Sequence, residues 1–161
     1  MTDPKWLAEA RKHIGTREIS GEKHELKILA WFKAIKAAWF TADEVPWCAA
    51  FVGGCLEAVG IASSRSALAK SYLSWGLPLK APTLGCIVVF TRDGGGHVGF
   101  VVGEDSKGRL MVLGGNQGDK VSIAPFDRSR VAGYRWPVAQ SLQIEPPPRI
   151  LSAEQSSANE A

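Results

Sequence analysis

The stretch from Pro46 to Gly60 constrains this chain more than any other. Between those two breakers run Trp47-Cys48-Ala49-Ala50-Phe51-Val52 and a continuation to Val59, with Glu57 the one charged residue. A helix that is apolar nearly all round is stable only when other elements cover it on every side. The remaining residues must therefore build a shell around a central helix that begins at Pro46, just after Asp43-Glu44, and stops at Gly60. At 161 residues the chain is long enough for one domain with such a core.

The flanking sequence predicts how the shell is made. Asp3-Pro4 is read as the cap and start of a first helix, with Pro at its first position. Its apolar face is Trp6, Leu7, Ala10 and Ile14, and Gly15 ends it. Ile28, Phe32, Ile35 and Trp39 recur at helical spacing and predict a second helix over Glu25–Ala38. A shorter helix is expected over Ser66–Trp75, ending at Gly76. The pattern then changes to short β-branched runs. Ile87 to Phe90, His97 to Gly103, Leu110 to Leu113, Val121 to Ile123 and Val131 to Trp136 predict about five strands, with a turn at Gly94-Gly95-Gly96. Helices followed by strands imply an α+β fold with an antiparallel sheet. Residues 1–137 form a single domain in this reading. Residues 138–161, with Pro146-Pro147-Pro148 and no apolar period, are read as a mostly disordered tail.

Charge excludes several classes of function. The net charge is +3, from 19 basic and 16 acidic residues. The balance is +5 over residues 1–137 and −2 beyond, with no dense Lys/Arg cluster. That argues against a nucleic-acid binder and suits loose attraction to a polyanion such as a bacterial wall. No apolar run approaches the ~20 residues of a membrane span, so stable insertion in a bilayer is not expected. The N-terminal residues carry no apolar leader, so the expectation is folding in a cytoplasm and delivery by other means. A monomer is expected.

Three cysteines occur, Cys48, Cys55 and Cys86, with no Cys-x-x-Cys pair. Neither a disulfide framework nor a structural zinc site fits that count and spacing. Cys48 falls in the first turn of the central helix. Unpaired amides and the helix dipole there favour a thiolate. The competing reading is a small buried hydrophobe, and it is the better one for Cys55 and Cys86. His97 opens a strand behind three glycines and is a candidate base for a thiol, or else an edge-strand polar residue. Asn116 follows Gly114-Gly115 and could orient an imidazole, or serve only as a turn residue. The three occur in the chain order Cys, His, Asn.

Taken together, Pro46-Trp47-Cys48-Ala49-Ala50-Phe51-Val52, Gly96-His97-Val98-Gly99-Phe100 and Gly114-Gly115-Asn116-Gln117 resemble the phage and bacterial branch of the CHAP family. These are cysteine, histidine-dependent amidohydrolases/peptidases, similar to NlpC-type wall peptidases and built on a papain-like core. The resemblance covers about residues 5–137, including Gly15 to Glu18, Ser71 to Gly76 and Gly133 to Pro137. It implies Cys48 as nucleophile, His97 as general base and Asn116 as the residue that orients the imidazole. Gln117, Trp47 and Glu44 are then candidates for the substrate cleft. The implied substrate is peptidoglycan, cut either as an N-acetylmuramoyl-L-alanine amidase or as an endopeptidase, with no metal or organic cofactor. A phage endolysin is the implied setting. Two departures stand out. Cys86 occupies a strand position where similar sequences have Asp, and Glu25-Leu26 replaces Asn-Pro. The rival functions are a thiol acyltransferase or a protein-directed cysteine peptidase on the same core, and a catalytically silent binding or virion module.

Overall fold

A computed structural model describes residues 3–19, 26–36, 46–92, 95–138, 140–142 and 144–149. Its helices are α1 (Lys5–Arg11), α2 (Leu26–Ala34) and α3 (Cys48–Ala58), with 3₁₀ turns at Ala69–Ser74 and Arg128–Arg130. The strands are β1 (Leu77–Leu79), β2 (Ile87–Arg92), β3 (Gly95–Glu104), β4 (Leu110–Gly114), β5 (Ser122–Phe126) and β6 (Val131–Trp136). They form a six-stranded antiparallel sheet in the order β1-β6-β2-β3-β4-β5. The α+β architecture expected from the sequence is the one observed. The additional strand is β1, whose central Pro78 hides its strand character, as suits an edge position.

The central helix behaves as its composition requires. Every residue from Cys48 to Leu56 is buried. Trp31 of α2 stacks on Trp47 and meets Phe51 edge-on, with centroids 6.0 and 5.0 Å apart. On the sheet side Phe51 meets Phe100 of β3 at 6.2 Å. Gly53 and Gly54 allow this closeness. A Cβ on Gly54 would lie 2.4 Å from Trp31 Cδ1, and one on Gly53 would lie 2.3 Å from Ile35 Cγ2.

Three local expectations are corrected. Asp3 does not cap α1. Its carboxylate pairs with Arg11 at 2.6 Å, Pro4 is the N-cap, and the helix begins at Lys5. The predicted helix over Ser66–Trp75 is a 3₁₀ segment, and Gly76 (φ +68°) lies so close to Trp136 that a Cβ would be 2.5 Å from its carbonyl oxygen. Beyond Pro137 the chain is not free of the body. Glu145 O accepts from Leu84 N (2.7 Å) and Thr83 Oγ1 (2.8 Å), and Glu104 N donates to Pro148 O (2.9 Å). These contacts are made through the backbone of Glu145 and Pro148, and backbone hydrogen bonds leave no apolar period in the sequence. Residues 150–161 of that predicted tail lie outside the described residues.

Two outcomes test this packing. Gly54→Ala gains up to ~1 kcal/mol of helix propensity but drives a methyl into a ring already wedged between Trp47 and Phe51. Overpacking of that kind costs about 1–3 kcal/mol, so urea unfolding should show net destabilisation. Truncation after Pro137 strips the acceptors from Leu84 N and Glu104 N. A loss of about 1–3 kcal/mol is expected, whereas truncation after Arg149 keeps both bonds and should retain that stability.

Candidate active site

Cys48 is the first residue of α3 and is 4% exposed. The first intrahelical bond runs from Phe51 N to Trp47 O at 3.0 Å, so the amides of Cys48, Ala49 and Ala50 precede the helical ladder. The other two thiols sit in different surroundings. Burial, reinforced by the charge of Glu9, holds the Cys55 thiol well above its ordinary pKa. Burial pushes Cys86 up to about 12. Neither is ionised near neutrality, which leaves Cys48 as the candidate nucleophile.

His97 lies near the start of β3, opposite Phe90 of β2, and is 4% exposed. Its ring stacks on Phe126 (5.2 Å, 12°), which in turn stacks on Phe90 (4.6 Å, 17°). Its Nε2 lies 2.8 Å from Gln117 Oε1. The orientation of that amide is fixed by its other end. Gln117 Nε2 donates to Val112 O (3.1 Å) and Ser122 O (2.8 Å), which only accept. Oε1 must then face the imidazole, and His97 Nε2 must be the donor. In the neutral ring this leaves the lone pair on Nδ1.

The imidazole partner is therefore Gln117, not the Asn116 expected from the sequence. The reason is backbone conformation. Asn116 sits in the left-handed region (φ +59°), which turns the chain so that the following side chain points inward. Gln117 is 8% exposed, and Ser122 Oγ donates to its carbonyl at 3.0 Å. It is a buried part of the site rather than a cleft-lining residue. Trp47 is likewise not available to a substrate. It is fully buried against Trp31, and its indole N–H donates to Glu18 Oε1 at 3.1 Å. Glu44 lies outside the described residues.

Gly114-Gly115 connects the two halves. A Cβ on Gly114 would lie 2.3 Å from Gln117 Oε1 and 3.3 Å from His97 Nε2. A Cβ on Gly115 would lie 2.7 Å from both Phe51 Cβ and Trp47 Cζ3. The His97–Gln117 pair and the first turn of α3 thus approach one another across a single dipeptide that admits no side chain. The sequence reading missed the Phe90–Phe126 stack and Glu18 as site components. Gly15 to Glu18 carried a signal only as part of the family resemblance. The Cys86 departure is structural: its N–H donates to Thr83 O, its carbonyl accepts from Val101 N, and its side chain is fully buried.

Among the described residues no cluster of three or more His, Cys, Asp or Glu could hold a metal ion. No described helix is long and apolar enough to cross a membrane.

Gly114→Ala tests the geometry. The added methyl collides with Gln117 Oε1 and must displace it from His97. Activity is expected to fall by about tenfold or more, as misplacement of a catalytic group commonly does, with the far-UV spectrum retained.

No curated protein matches the chain. Residues 40–116 match the family model for the CHAP domain, and that segment contains Cys48, His97 and Asn116 and ends one residue before Gln117. CHAP domains are cysteine- and histidine-dependent amidohydrolases/peptidases acting on peptidoglycan, and the match over residues 40–116 is consistent with a CHAP-type cell-wall hydrolase.

Proposed function

We propose that the protein hydrolyses amide bonds of peptidoglycan through a Cys48 thiolate, with His97 as the base and Gln117 as the group that orients it. The observation that carries this reading is the anchored amide of Gln117. By accepting from Nε2–H it leaves Nδ1 as the basic nitrogen of the ring. Nδ1 takes the thiol proton, and the thiolate adds to the scissile carbonyl. The imidazolium then protonates the leaving amine as the C–N bond breaks and a thioester remains. Water, deprotonated by Nδ1, displaces the thiol and releases the acid.

The tetrahedral oxyanion needs donors, and the Cys48 amide at the head of α3 is one. A second is expected from Thr41 to Val45, which lie outside the described residues. The +5 balance of residues 1–137 supports a polyanionic substrate, since peptidoglycan stem peptides carry free carboxylates. Amidase and endopeptidase cleavage both fit this chemistry. Action as a phage lysis enzyme belongs to the same proposal and rests on the sequence resemblance.

Digestion of purified peptidoglycan, with soluble products identified by mass spectrometry, tests the reading. Wild type and Cys55→Ala should release fragments. Cys48→Ala should release none above background, a loss of at least ~10³-fold for removal of a covalent nucleophile. New N-termini at L-Ala would identify an amidase, and breaks within the stem or cross-bridge an endopeptidase. A folded wild type that releases nothing from several wall types, yet cleaves a protein substrate, would favour a protein-directed peptidase.

A further inference from the structure

We propose that Glu18 is a positioning residue for the nucleophile, holding the first turn of α3 in register with the turn that carries Gln117. The inference rests on the thiol mechanism above. The segment after α1 runs beside the residues that follow Gln117. Gly15 N donates to Val121 O (2.9 Å), Val121 N to Thr16 O (2.8 Å), and Glu18 N to Asp119 O (3.0 Å), with a bridge between Arg17 and Lys120. Gln117 N in turn donates to Lys120 O at 3.0 Å. The backbone of Glu18 is thereby tied to the turn that orients His97.

The side chain of Glu18 points the other way in function. Its Oε1 accepts the Trp47 indole N–H at 3.1 Å. Trp47 is fully buried, and a buried donor without an acceptor is costly. Trp47 is also the N-cap of α3, and its own side chain makes no cap bond to the helix. The indole N–H instead ties the N-cap residue to Glu18. A continuous path results, from His97 through Gln117, Lys120-Asp119 and Glu18 to Trp47 and the adjoining Cys48. Each step is a peptide linkage or a hydrogen bond of 2.8–3.1 Å.

The test compares Glu18→Ala, Glu18→Gln and Trp47→Phe on soluble peptidoglycan fragments, and follows Cys48 alkylation by iodoacetamide across pH by peptide mapping. Glu18→Ala should lower kcat by about tenfold or more with KM within about twofold, and should shift the pH profile of Cys48 alkylation. Glu18→Gln keeps an acceptor oxygen and should restore both. Trp47→Phe removes the N–H together with part of the buried ring, so it should lower kcat at least as far as Glu18→Ala, and adding Glu18→Ala to it should cost little more, since no indole N–H is then left to hold. An unchanged kcat and pH profile in Glu18→Ala would overturn the proposal. So would a Gln variant as impaired as Ala, or losses that add in the double variant. If Glu18→Ala does not fold, Glu18→Leu, which fills the site without offering an acceptor oxygen, carries the comparison. Alkylation needs no substrate, so it still judges Glu18 if wild type digests no peptidoglycan and the hydrolase reading fails.

Discussion

Complete burial of α3 is the constraint on which the rest of the structure depends. Its residues from Cys48 to Leu56 are all buried, so α1, α2 and the sheet must each present an apolar surface to it. Gly53 and Gly54 lower intrinsic helix stability, yet they are what lets Ile35 and Trp31 approach the helix backbone. Here packing outweighs propensity. A methyl at either position would meet a neighbouring side chain at less than 2.5 Å. The same burial separates the thiols by chemistry. Cys55, two turns into the helix, is held protonated by desolvation, whereas Cys48 sits at the helix start, ahead of the first intrahelical bond.

Around that apolar centre the site adds one small polar network. Gln117 is buried, and both ends of its amide are used: Oε1 toward His97, Nε2 toward two strand carbonyls. A buried polar group satisfied in this way is rigid, because any rotation would strand a donor or an acceptor. The imidazole is pinned by the amide at its Nε2 edge and by Phe126 on its face. Gly114 and Gly115 allow this network and the start of α3 to approach one dipeptide from two sides.

Much of this was legible in the sequence, and the misses share a cause. The helical spacing of Ile28 and Phe32, the apolar run after Trp47 and the β-branched strands are local patterns, and each lies in an element of the expected type. Strand β1 was missed because Leu77-Pro78-Leu79 owes its strand character to pairing with Tyr134 to Trp136. The segment around Glu145 was missed because its order comes from Thr83 and Leu84, some sixty residues earlier. Trp47 looked like a cleft aromatic, yet Trp31 and Glu18 claim its face and its N–H. In each case the deciding partner is distant in the chain.

The sequence by itself determined the fold class, the buried central helix, the cysteine at its head and the histidine at a strand start. Those features follow from periodicity and from breakers such as Pro46 and Gly60, which act over a few residues. Only the tertiary structure decided which of two adjacent amides serves the imidazole. The sequence points to Asn116 for that role and leaves Gln117 to the substrate cleft. The left-handed turn at Asn116, with Val112 and Ser122 carbonyls waiting for an amide N–H, turns Gln117 inward. That choice depends on the strands β4 and β5 lying side by side, and a side chain's partners across a sheet leave no trace in its own neighbourhood of the sequence.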